Sequence, residues 1–276
     1  MKAAFFDLDK TVIAKASMLA FGRTFYKEGL LSKRTILRSA YAQIVYKYSG
    51  ANEKQIQKLR ETVLGLTKGW ERSLVSTIVA ETMTEIVEPL IFKEALDLIA
   101  LHKSQGDLVY IVSASPEEIV APLGERLEVD GVIATISKVD EDGRYTGEMD
   151  FYAYGPYKAQ AMATLAAKNG FSLEDSFAYS DSYTDLPMLE AVGNPVVVNP
   201  DRVLAKIAKD RNWRTLTFSN PVRVREGSVR PSTPTALVAL AVGLTSVALA
   251  SFYLFMRVRK LSAQLKAALL APILNN

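Results

Sequence analysis

Two aspartates directly follow a short apolar segment near the N-terminus, and this arrangement constrains the fold most. The segment at residues 2–6 is rich in Phe and Ala and too short for a helix, so it is predicted to be a buried strand. Asp7 and Asp9 follow it within the sequence Phe-Phe-Asp-Leu-Asp-Lys-Thr. Carboxylates at alternate positions point to the same side of the chain and repel each other unless a cation or a proton lies between them. Taken alone, the pair could equally be an acidic turn after a strand.

Composition limits the classes of function. The 276-residue chain is 49% hydrophobic and 23% charged, which is typical of a globular protein with an additional apolar part. Its net charge of +3 is small and its basic residues are scattered, so nucleic acid is not expected as a partner. The absence of Cys excludes disulfides and thiolate chemistry, and the single His, His102, is expected at the surface or at a helix end. Any metal would be bound by oxygen, which favours Mg²⁺.

Strands and helices alternate through most of the chain after residue 89. Apolar segments predict strands at 108–112, 132–136, 176–179, 196–199 and 214–218, and amphipathic segments predict helices at 92–102, 117–127, 157–169 and 202–211. A turn at Asp142-Gly143 predicts a hairpin. This alternation predicts an α/β fold with a Rossmann-like parallel sheet.

A long helical region separates the first predicted strand from the second. Helices are predicted at 16–28, 32–48, 52–64 and 71–87, which is more than an ordinary crossover needs. We therefore predict an all-helical cap at 15–88, inserted into a core made of 1–14 and 89–218. Five cap cations could face an anionic substrate: Arg23, Lys33, Arg34, Arg38 and Arg72.

The C-terminal region contains an apolar run. Residues 235–256 carry no charge, are long enough to cross a bilayer and have basic residues on both sides. A buried core helix is the alternative, but the globular fold looks complete before Ser219. We predict a linker at 219–234, a single-pass transmembrane helix at 235–256 and a tail at 257–276. The absence of a signal-peptide pattern favours a catalytic domain in the cytoplasm.

Further polar residues follow other predicted strands. Ser113 follows the second, Asp181 and Asp185 follow a late one, and Lys158 opens a helix. Because a parallel sheet brings its strand ends to one edge, these positions can converge on Asp7. Carboxylates, a hydroxyl and an ammonium group, with oxygen ligands for Mg²⁺, suit phosphoryl transfer through a carboxylate nucleophile. Each residue also has a structural interpretation, as a helix cap or a solvated side chain.

The order and spacing resemble the haloacid dehalogenase-like (HAD) superfamily over residues 1–218. Asp-x-Asp-x-Thr after an N-terminal strand, combined with Asp-Ser-x-x-Asp after a late strand, carries the resemblance. The cap between the first two motifs, together with Val-Ser-Ala-Ser and Val-Asn-Pro-Asp, resembles the phosphoserine-phosphatase-like subfamily. The resemblance implies a HAD core with an inserted cap, whereas a C-terminal membrane span departs from it.

The resemblance also implies roles for the acidic residues. Asp7 would attack phosphorus and form an aspartyl-phosphate, and Asp9 would protonate the leaving alcohol and later activate water. Asp7, the Asp9 carbonyl and Asp181 would bind Mg²⁺, with Asp185 orienting the metal's water shell.

The resemblance also implies roles for four other residues at the phosphate-binding site. Ser113 and nearby backbone groups, including that of Ala114, would bind phosphate oxygens, and Lys158 would neutralise charge on the phosphate and Asp7. Thr11 would support the loop that carries the two aspartates.

The expected activity is that of a membrane-anchored, Mg²⁺-dependent phosphomonoesterase. Its substrate would be a phosphorylated small molecule or lipid, such as a lysophospholipid phosphate, because an anchor holds the site near the bilayer. Phosphoserine and histidinol phosphate are alternatives, although Ala16 stands where phosphoserine-specific members carry Glu. A phosphotransferase and a catalytically silent membrane adaptor are two further alternatives. The sequence makes no prediction of oligomeric state.

Overall fold

A computed structural model describes residues 1–32, 61 and 64–221 of the chain. The predicted cap helices at 32–48 and 52–64 lie almost entirely outside these residues, as does the whole predicted span at 235–256. No helix in the described ranges combines the length and the hydropathy that a bilayer crossing needs.

The described residues form a seven-stranded sheet with the order β4-β3-β2-β1-β5-β6-β7. Its neighbouring strands run parallel except for β3 and β4, which form the antiparallel hairpin predicted at Asp142-Gly143. The predicted α/β fold with a Rossmann-like parallel sheet is therefore confirmed. The strands are β1 (Ala3–Asp7), β2 (Leu108–Pro116), β3 (Gly131–Val139), β4 (Tyr145–Phe151), β5 (Phe177–Ser180), β6 (Asn194–Val198) and β7 (Arg214–Leu216).

Helices cover both faces of this sheet. They are α1 (Ser17–Ala20), α2 (Gly22–Lys27), α3 (Arg72–Ile86), α4 (Lys93–Ser104), α5 (Glu117–Arg126), α6 (Pro156–Asn169), α7 (Leu186–Glu190) and α8 (Arg202–Asp210), with 3₁₀ turns at Glu88–Leu90 and Tyr183–Asp185. The helix predicted at 16–28 is instead two short helices that meet at Phe21. Phe21 is fully buried, and the Gly22 that follows it has a low helix propensity.

The central strand β1 is buried on both faces. Phe6 packs in one apolar cluster with residues of α3, α4 and α5, whereas Phe5 packs in a second cluster with Met162 of α6 and Leu204 of α8. A strand that alternates between two covered faces reads as continuously apolar, as residues 3–6 do. Its last residue, Asp7, therefore lies at the carboxyl edge of the sheet, at the end of a strand that is buried on both faces.

Strand β2 is longer than predicted. It was expected to end at residue 112, but it continues to Pro116, which pairs with Thr135 of β3 after a shift in register. The Thr135 hydroxyl also donates a hydrogen bond to the Ala114 carbonyl, with an O···O distance of 2.8 Å. These contacts keep the polar segment after Val112 extended, although its sequence resembles a loop.

His102 does not lie on the surface. It lies in the last turn of α4, as expected for a helix-end residue, but only 3% of it is exposed. Its Nδ1 lies 2.8 Å from Asp107 Oδ2 and its Nε2 lies 2.8 Å from the Tyr179 hydroxyl. Because both ring nitrogens have partners, the ring can be buried at little cost.

The β3–β4 hairpin is hydrogen-bonded to the chain segment before α3. The Gly69 N–H donates to the Tyr145 carbonyl, the Tyr145 N–H donates to the Trp70 carbonyl, and the Arg72 N–H donates to the Gly143 carbonyl. These three bonds, of 2.8–3.0 Å, attach the C-terminal part of the predicted cap to the core.

Arg72 does not present a free cation to substrate. Its guanidinium group pairs with Glu117 at 3.0 Å and with Glu118 at 2.9 Å, both in the first turn of α5. The other predicted cap cations, Lys33, Arg34 and Arg38, lie outside the described residues, as does the side chain of Arg23.

The last described residues pack beside the segment that returns from the predicted cap. Phe92 donates its N–H to the Val12 carbonyl at 2.9 Å and forms an isolated bridge with Pro221. The Lys93 N–H donates to the Asn220 carbonyl, and the Glu94 carboxylate accepts the backbone N–H groups of residues 219 and 220. The contacts of the core therefore continue beyond the boundary predicted at residue 218.

Candidate active site

Three strand ends bring the predicted polar residues to one edge. Asp7 ends β1 and pairs in register with Val112, so Ser113 lies one residue further along the neighbouring strand. On the other side of β1, Asp181 directly follows β5. Asp7, Ser113 and Asp181 are all buried, with exposures of 6%, 1% and 5%.

Lys158 bridges two of the carboxylates. Its Nζ lies 2.7 Å from Asp7 Oδ1 and 2.8 Å from Asp185 Oδ1. Burial by itself would lower the pKa of Lys158, but the charges of Asp185 and Asp7 outweigh burial and raise the pKa above its ordinary value. The lysine lies in the first turn of α6, after Gly155, whose φ of 54° favours glycine. The site therefore contains a permanently charged, buried ammonium group.

The two acidic residues after β5 are oriented by hydrogen bonds. Ser180 donates its hydroxyl to Asp185 Oδ2 at 2.8 Å. Asp201 accepts the Tyr183 N–H on its Oδ2 at 2.7 Å and donates its own N–H to the Asp181 carbonyl at 2.8 Å. Asp201 also caps α8 through its Oδ1. Asp201 lies in the Val-Asn-Pro-Asp motif, but no role was predicted for it. The structure shows that Asp201 orients residues 181–185, which we call the acidic loop.

The site carries more negative than positive charge. Burial raises the pKa of Asp7 well above its ordinary value; Lys158 opposes this, and Asp185 and Asp181 add to it. Burial likewise raises the pKa of Asp181 to about 6. The charge of Lys10, whose Nζ lies 3.8 Å from Asp181 Oδ2, lowers this pKa and so partly opposes the effect of burial. Three buried carboxylates thus share one buried ammonium group, which is an environment that suits a cation.

The oxygen donors at this edge of the sheet match the predicted metal. No three His, Cys, Asp or Glu side chains within the described ranges form a cluster with the spacing of metal ligands. The predicted set does not require one, because it uses two carboxylates, Asp7 and Asp181, with the backbone carbonyl of Asp9. Mg²⁺ keeps several water ligands and is often bound through one or two carboxylates. The oxygen donors and the excess negative charge therefore fit Mg²⁺.

Asp9 has separate partners from Asp7. Its Oδ1 accepts the Ser17 N–H at 2.7 Å and its Oδ2 accepts the Ser115 hydroxyl at 3.1 Å. The two serine hydroxyl oxygens lie 2.7 Å apart. Neither serine was predicted to belong to the site. The two-residue spacing from Ser113 was a signal for Ser115, whereas nothing in the sequence indicated the contact of Ser17, 98 residues away.

The remaining predicted residues line or support the same edge. Ser113 Oγ accepts the Ser115 N–H at 3.1 Å, and this bond leaves the hydroxyl hydrogen as a donor for an anionic oxygen. Ala114 follows Ser113 in the extended end of β2. Thr11 is fully buried, and its hydroxyl has no hydrogen-bond partner among the residues that the structure describes.

Comparisons with known proteins identify the family of the chain. A family model for haloacid dehalogenase-like hydrolases matches residues 4–190. The chain is 50% identical to a probable phosphatase of Mycobacterium tuberculosis (strain ATCC 25618 / H37Rv), over 89% of this chain and 85% of the relative. It is 32% identical to a phosphoserine phosphatase of the same strain, over 90% and 80% of the two chains. A solved protein of unknown function from Bordetella pertussis Tohama I aligns with a TM-score of 0.68 and 28% identity, over 78% of this chain and 97% of the other.

Proposed function

Because the chain belongs to the haloacid dehalogenase-like hydrolase family and is a phosphatase, we propose that it hydrolyses phosphomonoesters through an aspartyl-phosphate on Asp7, with Mg²⁺ as cofactor. The observation that carries the proposal is the buried Lys158 ammonium group between Asp7 and Asp185. A nucleophilic carboxylate must be ionised to attack. Burial raises the pKa of Asp7, and the Lys158 ammonium group at 2.7 Å opposes this effect, as Mg²⁺ would when bound.

The reaction would proceed in two steps. An Asp7 oxygen forms a bond to phosphorus while the bond from phosphorus to the ester oxygen breaks, and Asp9 gives its proton to that oxygen so that an alcohol leaves. Asp9 then takes a proton from water, whose oxygen attacks phosphorus; inorganic phosphate leaves and the Asp7 carboxylate is restored. Asp9 is half-buried and binds Ser17 and Ser115, whereas Lys158 binds Asp7 and Asp185. This position suits a group that exchanges protons with substrate and water.

Lys158 and Ser113 would bind the phosphoryl group throughout. The ammonium group offers charge, and the Ser113 hydroxyl offers a hydrogen-bond donor at the neighbouring strand end. Asp7, the Asp9 carbonyl and Asp181 would hold Mg²⁺, which when bound would neutralise charge on the phosphate. Asp185 is proposed to orient the water around the metal; its oxygens also bind Lys158 and Ser180.

We propose that the substrate is a lipid or lysophospholipid phosphate. We also propose that residues 235–256 anchor the protein in the cell membrane and that the catalytic domain lies in the cytoplasm. The apolar, uncharged character of that segment supports the anchor. A small-metabolite phosphatase is the second candidate, because one relative is a phosphoserine phosphatase. Ala16 weighs against phosphoserine, since it offers no carboxylate for a substrate ammonium group.

Hydrolysis of p-nitrophenyl phosphate with and without Mg²⁺ tests the reaction. We expect Mg²⁺-dependent activity that is lost in Asp7→Asn and retained in Asp97→Asn, which changes an exposed carboxylate in a surface ion pair with Lys93. Full activity in Asp7→Asn, or no activity in the folded wild type, would contradict the proposal. Comparing lysophosphatidic acid in detergent with phosphoserine and histidinol phosphate then separates the two substrate classes. Recovery of the full-length protein in the soluble fraction without detergent would refute the anchor.

A further inference from the structure

The carboxylate of Asp9 is oriented by two serines from distant parts of the chain. Each carboxylate oxygen accepts one hydrogen bond, Oδ1 from the Ser17 N–H and Oδ2 from the Ser115 hydroxyl. A single bond would leave the carboxylate free to rotate about χ2, which is a broad torsion in Asp. Two bonds to different oxygens restrict that rotation, so the plane of the carboxylate is set by its neighbours.

The serines also contact each other. With 2.7 Å between their hydroxyl oxygens, Ser17 and Ser115 form a closed set of hydrogen bonds with Asp9. Ser17 is fully buried and Ser115 is 5% exposed, whereas Asp9 itself is half-buried. The supporting groups are therefore shielded from water while the carboxylate remains accessible.

The three residues come from three different elements. Asp9 follows β1, Ser115 lies in the extended end of β2, and Ser17 is the first residue of α1, where the chain enters the predicted cap. The extension of β2 past Val112 places Ser115 there, because Pro116 pairs with Thr135. The orientation of Asp9 thus depends on both the second strand and the entrance to the cap.

We propose that Ser115, assisted by Ser17, is a positioning residue for Asp9 in the protonation of the leaving group. This inference rests on the proposed function, in which Asp9 gives a proton to the ester oxygen as the bond to phosphorus breaks. Proton transfer requires the acid within hydrogen-bond reach of that oxygen in the correct orientation. Losing the Ser115 hydroxyl leaves Asp9 Oδ2 unrestrained and should slow this step.

The leaving group provides the test. An alkyl phosphate such as glycerol 3-phosphate releases a strongly basic alkoxide that needs a proton, whereas p-nitrophenolate is stable without one. The ratio kcat/KM reports the steps up to departure of the leaving group and is not affected by later hydrolysis of the intermediate. For Ser115→Ala we expect kcat/KM to fall on the order of tenfold to a hundredfold for glycerol 3-phosphate and less than about threefold for p-nitrophenyl phosphate.

Three further variants complete the experiment. Ser115→Thr keeps the hydroxyl and should restore most of the alkyl phosphate activity. Ser17→Ala keeps the backbone N–H that binds Asp9. Its kcat/KM should therefore also fall more for glycerol 3-phosphate than for p-nitrophenyl phosphate, but by less than in Ser115→Ala. Ser104→Ala, which changes an exposed serine at the end of α4, should behave as the wild type for both substrates.

The outcomes distinguish the inference from the function on which it rests. Equal losses on both substrates in Ser115→Ala would indicate general damage to the site and overturn the inference, as would no loss on either. Asp9→Asn is the reference: if it does not lower kcat/KM for glycerol 3-phosphate more than kcat/KM for p-nitrophenyl phosphate, the proposed role of Asp9 as the acid fails. If Asp9→Asn is selective and Ser115→Ala is not, only the positioning role is overturned.

Discussion

Phe6 and Tyr179 stack with their ring centroids 4.3 Å apart and their planes 4° apart. They are register partners on β1 and β5, Phe6 immediately precedes Asp7, and Tyr179 lies two residues before Asp181. The aromatic pair therefore connects the two strands that carry the acidic residues. The Tyr179 hydroxyl and Asp107 both bind His102, so these three residues form a buried chain of polar contacts on one side of the sheet.

Replacing His102 should destabilise the protein more than removing the Tyr179 hydroxyl. His102→Phe removes the partner of the Tyr179 hydroxyl and leaves the buried Asp107 with only its ion pair to Lys2 at 3.6 Å among the described residues, so we expect the free energy of unfolding to fall by about 2–4 kcal/mol. Tyr179→Phe removes one hydrogen bond and keeps the stacking with Phe6, so about 1 kcal/mol is expected. Urea denaturation measures both. Equal destabilisation of the two variants would mean that the contact between His102 and Asp107 does not contribute to stability.

Removing Lys158 should reduce stability and activity together. In Lys158→Met, Asp7 and Asp185 lose their buried counter-charge, so without Mg²⁺ we expect the free energy of unfolding to fall by about 3 kcal/mol and kcat to fall by at least about a hundredfold. Adding Asp185→Asn should recover stability without recovering activity. Lys138→Met, in an exposed pair with Glu148, is the matched control. Wild-type stability in Lys158→Met would show that the buried ion pairs are not formed.

Asp181 predicts a pH dependence of stability. Its pKa of about 6 in the folded protein, raised chiefly by burial, exceeds the value of about 3.9 in an unfolded chain. The folded state therefore binds the proton more tightly, and the metal-free protein loses up to about 3 kcal/mol as the pH rises through this window. Asp181→Asn cannot titrate, so it should be more stable than the wild type above about pH 6 and equal to it below about pH 4.

Urea denaturation of EDTA-treated protein across this pH range measures the difference. Mg²⁺ should stabilise the wild type at neutral pH and have little effect on Asp181→Asn. A wild type that is the more stable of the two at high pH would indicate that the pKa of Asp181 is lowered rather than raised.

Asp201 should affect the metal more than the fold. Asp201→Ala removes the acceptor of the Tyr183 N–H and the cap of α8, so we expect a loss of about 1 kcal/mol in stability and about a tenfold rise in the Mg²⁺ concentration for half-maximal activity. Asp201→Asn keeps an acceptor at the cap and should be less affected on both measures. An unchanged Mg²⁺ requirement in Asp201→Ala would show that the acidic loop keeps its position without this bond.

The convergence of the site was predictable because the topology of a parallel sheet determines it. Residues 3–6 are apolar at every position, so the buried central strand and the emergence of Asp7 at its end followed directly. Residues that follow other buried strands then had to lie at the same edge, which brought Ser113 and Asp181 near Asp7.

The hydrogen bonds that orient these groups were not predictable. Ser17 and Ser115 are separated by 98 residues, and no periodicity relates a serine at the start of α1 to a serine near the end of β2. His102 was expected at the surface or at a helix end, and it does lie in the last turn of α4; only the structure shows the two partners that make its burial favourable. Arg72 was one of five cap cations that could face the substrate, and its charge alone does not reveal its carboxylate partners in α5.

The packing of the chain beside Phe92 determines where the protein can be truncated. A chain cut after residue 218 would lack the carbonyl that accepts the Lys93 N–H and the amides that bind the Glu94 carboxylate. It would also leave Phe92, which donates to Val12 next to the active-site loop, without its bridge to Pro221. A shortened version for crystallisation should therefore retain residues 219–221, since the segment that returns from the predicted cap forms hydrogen bonds with them.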